Sequence, residues 1–262
     1  MFHDKKAFVF DLEGVFFAGD EVMPGGQELM RAIKSRNLPH RFITNISRST
    51  AAEICAHMAG IGLDPGENLI VAALDRVGSF LRKNFGPGRA FVLGTDSLKR
   101  AVASGGFKIL GNDEEDKADV VLVGLDEDLT YQTLSAAARA VSRGARFVAM
   151  NPDVRLPSED GSFSLGGGAI MASVRAAAGR EPVFFGKPEP FLFEEALAEL
   201  GVEARHAVMV GDNLRTDIVG GQKVGMATVW VNRWGAIAGD PDVTADLEVK
   251  TLDELMPHLP GG

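Results

Sequence analysis

The feature that most constrains the fold is a series of short apolar runs that each end at a polar or charged residue. The run at residues 8–10 stops at Asp11, and the run at residues 207–210 stops at Gly211-Asp212. Strands that are apolar along their whole length are typical of parallel sheets covered on both faces. Helical patterns separate the runs, so the sequence predicts an α/β fold with a parallel sheet.

The polar residues at the predicted strand ends are expected to meet. Crossover connections bring the carboxyl ends of parallel strands to one edge of the sheet, where ligands bind. Taken singly, each of these residues could also belong to a strand-end turn or cap a helix. Their joint placement favours a functional site. The residues are Asp11, Thr44, Asn45, Lys187, Asp212 and Asp217.

A glycine- and proline-containing stretch after residue 84, followed by a new series of strands and helices, predicts an inserted domain. The stretch Phe85-Gly86-Pro87-Gly88 is typical of a hinge, and a new series of strands and helices follows it. We predict a core formed by residues 1–85 and 182–262, with an insertion at 86–181, because the flanking strands at 183–185 and 207–210 would complete one sheet. Within the insertion, residues 151–168 are expected to be irregular and to precede a helix at 169–178.

Composition excludes several classes of partner. The net charge of −9 argues against nucleic acid or an anionic membrane as the main partner, because both attract clustered Lys and Arg. The apolar run near the start is too short for a secretory leader or a membrane span, so we expect a cytoplasmic protein. Cys55 is the single cysteine and is expected to be a core residue rather than part of a disulfide.

Three of the predicted edge residues are carboxylates. Asp11, Asp212 and Asp217 would repel one another unless a cation neutralised them. Oxygen-only ligands at strand ends suit Mg2+, which keeps several of its waters. The sequence therefore predicts a Mg2+ site.

Hydrogen-bond donors are expected at the same edge. The Thr44 hydroxyl, the Asn45 amide, the Lys187 ammonium and the first amides of a helix capped by Ser47 would form a pocket for a phosphoryl group. A carboxylate facing phosphate can act as a nucleophile and form an aspartyl phosphate, and Asp11 is placed to do so. No Gly-x-Gly-x-x-Gly follows a strand, which disfavours dinucleotide binding.

Together, these motifs resemble the four motifs of the haloacid dehalogenase superfamily. The insertion, with Tyr131, Asn151-Pro152-Asp153 and a glycine-rich turn, resembles the class IIA cap of the NagD and p-nitrophenyl phosphatase group. The resemblance implies a Rossmann-like core, an α/β cap, Mg2+, and hydrolysis of small phosphorylated metabolites such as phosphoglycolate, pyridoxal phosphate, nucleoside monophosphates or sugar phosphates. The motifs are Asp11-Leu12-Glu13-Gly14-Val15, Thr44-Asn45 with Ser47, Gly186-Lys187-Pro188, and Gly211-Asp212 with Thr216-Asp217.

The resemblance also implies a role for each site residue. Asp11 would be the nucleophile and a metal ligand, and Glu13 would supply a ligand through its carbonyl and the general acid and base through its side chain. Asp212 would bind the metal directly, and Asp217 would bind it through water or from the outer shell. The remaining roles fall to Thr44 and Asn45, which would hold phosphoryl oxygens, and to Lys187, which would neutralise the nucleophile and phosphate.

Two positions depart from the family pattern, with Glu13 in place of Asp and Ile46 in place of Asn. Because of Glu13, a low-turnover phosphate-ligand binding or regulatory protein stays an alternative. A dehalogenase is disfavoured, because cleavage of a carbon–halogen bond needs no metal and phosphate site. Arg155, the one basic residue of 151–168, is expected either to contact the leaving side of the substrate or to be a solvated surface residue. A homodimer through the cap is left open.

Overall fold

The computed structural model describes residues 1–66, 68–157, 162–233 and 242–260. The strands are β1 (Ala7–Phe10), β2 (Phe17–Ala18), β3 (Glu21–Val22), β4 (His40–Thr44), β5 (Ile70–Ala72), β6 (Arg89–Leu93), β7 (Lys108–Ile109), β8 (Val120–Val123), β9 (Arg146–Ala149), β10 (Arg155–Pro157), β11 (Phe163–Leu165), β12 (Val183–Phe184), β13 (Ala207–Gly211), β14 (Ala227–Val231) and β15 (Leu247–Val249). The α-helices are α1 (Gly26–Ser35), α2 (Ala51–Gly60), α3 (Ala73–Phe85), α4 (Asp96–Ser104), α5 (Tyr131–Ser142), α6 (Gly167–Ala178), α7 (Pro190–Leu200) and α8 (Val219–Val224). Short 3-10 helices span Asn112–Lys117, Ala204–His206 and Leu252–His258, and a π-helix spans Leu214–Ile218.

The chain divides into two compact units. The first consists of Met1–Thr44, Ala51–Ala72 and Lys187–Gly262, and the second of Asn45–Thr50 and Ala73–Gly186. These limits differ from the predicted domain limits at 85/86 and 181/182, since α3 falls in the second unit. The assignment of a catalytic core and a substrate-selecting cap stays a prediction.

The first unit contains a six-stranded sheet in the order β15-β14-β13-β1-β4-β5, with every neighbouring pair parallel. The predicted α/β fold with a parallel core sheet is therefore confirmed. Phe10 of β1 lies opposite Val210 of β13 and Phe42 of β4. This register brings the residues that follow these three strands to one edge.

An aromatic cluster lies beneath that edge. The Phe16 ring is 5.5 Å from the Phe10 ring and 5.5 Å from the Phe42 ring between centroids, in edge-to-face geometry. Such pairs contribute about 0.5–1.5 kcal/mol each beyond the area they bury. Because Phe16 follows the turn that begins at Asp11, the cluster anchors this turn to two strands of the sheet.

A short hairpin follows the turn after β1, and the helix after β4 begins later than predicted. Strands β2 and β3 pair in antiparallel fashion. Helix α2 begins at Ala51, so Ser47 is not its N-cap. Hydroxyl residues favour turns over helix interiors, and the helix starts only after Ser47, Ser49 and Thr50. Cys55 of α2 is half-buried rather than a core residue.

The second unit contains a five-stranded parallel sheet in the order β12-β9-β8-β6-β7. Strand β12 belongs to this sheet, since Val183 pairs with Val148. The prediction that residues 183–185 complete the other sheet is therefore wrong. Strand β12 follows α6 and pairs in parallel with β9, so the chain between them, including α6, forms a crossover within one sheet. Val183 is 51% exposed at the sheet edge.

The segment at residues 151–168 is more regular than predicted. Strands β10 and β11 form an antiparallel pair with Arg155 opposite Leu165. Residues 158–161 of this segment lie outside the described residues. Helix α6 starts at Gly167, two residues before the predicted start, and ends at Ala178, where Gly179 caps it with a positive φ of 65°. No helix in the described ranges is long and apolar enough to cross a membrane.

Candidate active site

Three carboxylates of the first unit converge at the carboxyl edge of its sheet. Asp11, Asp212 and Asp217 each offer an oxygen, and these oxygens lie within 4.8 Å of one another. Asp11 follows β1, and its backbone amide donates to the Val210 carbonyl of β13 at 2.9 Å. Asp212 follows β13 directly, and Asp217 lies in the π-helix after it.

Lys187 lies among these carboxylates. Its Nζ is 2.6 Å from Oδ1 of Asp11 and 2.7 Å from Oδ1 of Asp217, and the residue is only 2% exposed. Burial acts to lower the pKa of Lys187, but the attraction of Asp11 and Asp217 outweighs it and raises the pKa. The side chain is therefore an ammonium at neutral pH.

One ammonium does not balance three carboxylates. Burial, followed by the charge of Asp217, raises the pKa of Asp11 well above its ordinary value, although Lys187 acts in the opposite direction. Burial and Asp217 also raise the pKa of Asp212 to about 7. A second positive charge would keep these groups ionised. The donor set consists of carboxylate oxygens, which are the ligands of Mg2+ and Ca2+, so a hard divalent cation fits this cluster.

The oxygens of the cluster have different partners. Asp217 contacts Lys187 through Oδ1 and accepts a hydrogen bond from the Asn213 amide through Oδ2 at 3.1 Å. Both of its oxygens thus contact protein donors, which agrees with an outer-shell position. The Asp212 carboxylate instead lies where a Cβ added at Gly14 would collide with it. Gly14 has a φ of 84°, so a side chain here would be excluded by strain and by the carboxylate.

Two supporting residues were missed by the sequence analysis. Oδ1 of Asn213 accepts from the amides of Arg215 and Thr216 at 2.9 and 3.2 Å. The Trp230 indole on β14 donates to the Asp212 carbonyl at 2.9 Å. Asn213 could have been found, because an Asn before a helical turn is a typical cap. Trp230 gives no such signal, since its contact depends on the pairing of β13 with β14.

The other predicted residues lie in different parts of the chain. Glu13 is exposed on the turn after β1, and Thr44 is buried at the end of β4. Asn45 and Arg155 belong to the second unit. The Asn45 carbonyl accepts from Asn151 at 3.4 Å, and the Arg155 guanidinium lies 4.3 Å from the centre of the Phe163 ring.

Comparison with known proteins identifies the family. A haloacid dehalogenase-like hydrolase model matches residues 8–108, and a HAD-hydrolase-like model matches residues 184–247. An acid sugar phosphatase from Staphylococcus aureus is 33% identical over 257 residues, which cover 97% of this chain and 98% of the relative. The chain belongs to the haloacid dehalogenase-like hydrolases. The prediction of an enzyme of this family is therefore confirmed.

Solved structures of this hydrolase family show the same fold. A p-nitrophenyl phosphatase from Archaeoglobus fulgidus is 28% identical with a TM-score of 0.86, covering 98% of this chain and 100% of that chain. A glycerol phosphate phosphatase from Mycobacterium tuberculosis, in complex with magnesium, is 30% identical with a TM-score of 0.85. The match covers 96% of this chain and 77% of that chain. The predicted likeness to the NagD and p-nitrophenyl phosphatase group is confirmed.

Proposed function

We propose that this hydrolase is a Mg2+-dependent phosphatase that cleaves small phosphomonoesters through a phosphorylated Asp11. The observation that carries the proposal is the buried Lys187 ammonium, 2.6 Å from Asp11 and 2.7 Å from Asp217. A fixed positive charge beside a carboxylate nucleophile attracts an anionic phosphoryl group and stabilises the charge of its transition state.

The reaction would proceed in two steps. The Asp11 carboxylate forms a bond to phosphorus while the bond from phosphorus to the alcohol oxygen breaks, and the Glu13 carboxyl gives its proton to that oxygen. The Glu13 carboxylate then takes a proton from water, whose oxygen attacks phosphorus and releases Asp11 and inorganic phosphate. Thr44 and Asn45 would hold phosphoryl oxygens in both steps.

Asp11, the Glu13 carbonyl, Asp212 and Asp217 would hold the metal. When bound, Mg2+ supplies positive charge that offsets the carboxylates and the phosphoryl oxygens. The raised pKa values of Asp11 and Asp212, caused first by burial, support the need for such a charge. The magnesium complex of the Mycobacterium tuberculosis relative supports the choice of ion.

The proposed substrate is a small phosphorylated metabolite. Phosphatase names among the relatives, including acid sugar phosphatase and p-nitrophenyl phosphatase, support a phosphomonoester, and sugar phosphates are the first class to test. We assign the choice of leaving group to the second unit, where Arg155 stacks on the exposed Phe163 of a hairpin. A guanidinium held in this way can contact an acidic or polar group of a ligand.

Phosphate release from a panel of phosphomonoesters, with and without Mg2+ after treatment with a chelator, tests the proposal. We expect Mg2+-dependent release that Asp11→Asn abolishes while the chain stays folded. Asp64→Asn is the matched control, because Asp64 is an exposed carboxylate paired with Lys34. A folded Asp11→Asn variant with the parent rate would contradict the proposal.

The presence of Glu13 favours a second candidate function, that of a phosphate-ligand binding protein with little turnover. Its side chain is one methylene longer than the Asp of the family pattern and is exposed on its turn. Binding of inorganic phosphate in the presence of Mg2+, with neither phosphate release nor a phosphoenzyme from any substrate, would favour this function.

A further inference from the structure

A guanidinium from the far end of the chain reaches the turn that carries Glu13. Arg233 lies two residues beyond the end of β14, at the carboxyl edge of the sheet in the first unit. Its Nη2 donates to the Val15 carbonyl at 3.1 Å across 218 sequence positions. The contact therefore joins the turn after β1 to the loop after β14.

The remaining donors of Arg233 are unusual. Within the described ranges, Nε and Nη1 are buried and have no hydrogen-bond partner. Burial lowers the pKa of Arg233, and the charge of Asp212 acts in the opposite direction. Buried donors without partners are rare in folded proteins, so this placement calls for an explanation.

The third nitrogen of the guanidinium, Nη2, has a defined partner in the turn. Two carbonyls of the turn accept from backbone amides nearby, Leu12 from Phe16 at 2.9 Å and Phe17 from Gly14 at 2.8 Å. The Val15 carbonyl instead accepts from Arg233. This hydrogen bond therefore joins Arg233 to the turn two residues from Glu13.

We propose that Arg233 is a positioning residue for the reaction: by holding the Val15 carbonyl, it fixes the turn that sets the reach of Glu13. The proposal rests on the proposed function, in which Glu13 moves the proton. The reach of a glutamate depends on its backbone anchor and its rotamer, and displacement by about 1 Å can lower a rate about a hundredfold. Arg233 acts through the turn and does not touch the substrate.

The test compares Arg233→Met, which keeps an apolar stem but removes the donors and the charge, with Arg233→Lys. We expect Arg233→Met to lower kcat by about tenfold to a hundredfold, with KM changed by less than about twofold. Arg233→Lys should recover part of the loss. Arg41→Met is the control, because Arg41 also donates to a backbone carbonyl, that of His40 at 2.8 Å, and pairs with Glu199 at 2.9 Å, but near the amino end of β4.

A double-mutant cycle separates positioning from a general structural effect. If Arg233 acts through Glu13, Arg233→Met in a Glu13→Gln background should change kcat by no more than about twofold. Amide hydrogen exchange at residues 13–17 should be faster in Arg233→Met and unchanged in Arg41→Met, and this readout does not depend on activity.

The outcomes are distinct. Equal losses of kcat in both backgrounds, or unchanged exchange at residues 13–17, would overturn the role of Arg233 while leaving the phosphatase intact. A parent chain that releases no phosphate would overturn the proposed function and, with it, the catalytic role assigned to Arg233.

Discussion

Removal of the Lys187 ammonium tests the charge balance of the site. In Lys187→Met, Asp11 and Asp217 lose their contacts at 2.6 and 2.7 Å and stay buried without a counter-charge. Loss of one partner from a buried ion pair costs about 3–5 kcal/mol, and Lys187 serves two carboxylates, so we expect a value near the upper end. This is a large share of the roughly 5–15 kcal/mol that stabilises a typical protein.

Urea unfolding of the metal-free protein at pH 7, followed by tryptophan fluorescence, measures the effect. With a slope of about 1–3 kcal/mol/M, the midpoint should fall by about 1 M or more. At lower pH the difference in unfolding midpoint between Lys187→Met and the parent should become smaller, because protonation removes the uncompensated charge of the buried carboxylates in the variant. Lys34→Met is the control, since Lys34 pairs with Asp64 at the surface, where such pairs contribute less than about 1 kcal/mol.

A Lys187→Met variant within about 1 kcal/mol of the parent at pH 7 would refute this reasoning. It would mean that the Lys187 ammonium does not stabilise the buried carboxylates in the metal-free protein.

Three further predictions follow from individual groups. Because burial and Asp217 raise the pKa of Asp212 to about 7 without metal, protons should compete with Mg2+ below that pH; titration calorimetry should show weaker binding at pH 6 than at pH 8, and equal affinities would contradict this. Burial lowers the pKa of His40. Its contribution to stability is therefore present above about pH 6.5 and is lost as the pH falls through the pKa of the folded state. His40→Phe should flatten the dependence of the unfolding free energy on pH between about 5 and 7. Arg155→Ala should change relative rates across a phosphomonoester panel, and unchanged relative rates would show that Arg155 is a solvated surface residue.

Residues that follow strands were the most predictable part of the site. Asp11 and Asp212 could be found because an apolar strand ending in a carboxylate delivers that group to the edge of a parallel sheet. The register of Phe10 with Val210 then brings the two together. Lys187 was found through its motif, although the strand before it belongs to the other sheet.

Features that depend on contacts between distant segments could not be predicted. The apolar run at Val183 shows that a strand forms but not which sheet it joins, since the edge strand of either sheet could pair with it. Trp230 and Arg233 act through side-chain hydrogen bonds to Asp212 and Val15. Those contacts depend on the pairing of strands and on rotamers, and a single sequence shows neither.

The phosphorylation of Asp11 is tested most directly by rapid-quench kinetics with p-nitrophenyl phosphate in Mg2+, followed by mass spectrometry of the peptide that contains residue 11. The longer reach of Glu13 should slow the activation of water more than the departure of p-nitrophenolate, which needs little protonation. We therefore predict a burst of p-nitrophenol, a phosphoryl group on Asp11, and faster steady-state hydrolysis in Glu13→Asp. Phosphate release with no phosphoenzyme at any time point, and at an equal rate in Asp11→Asn, would contradict the account.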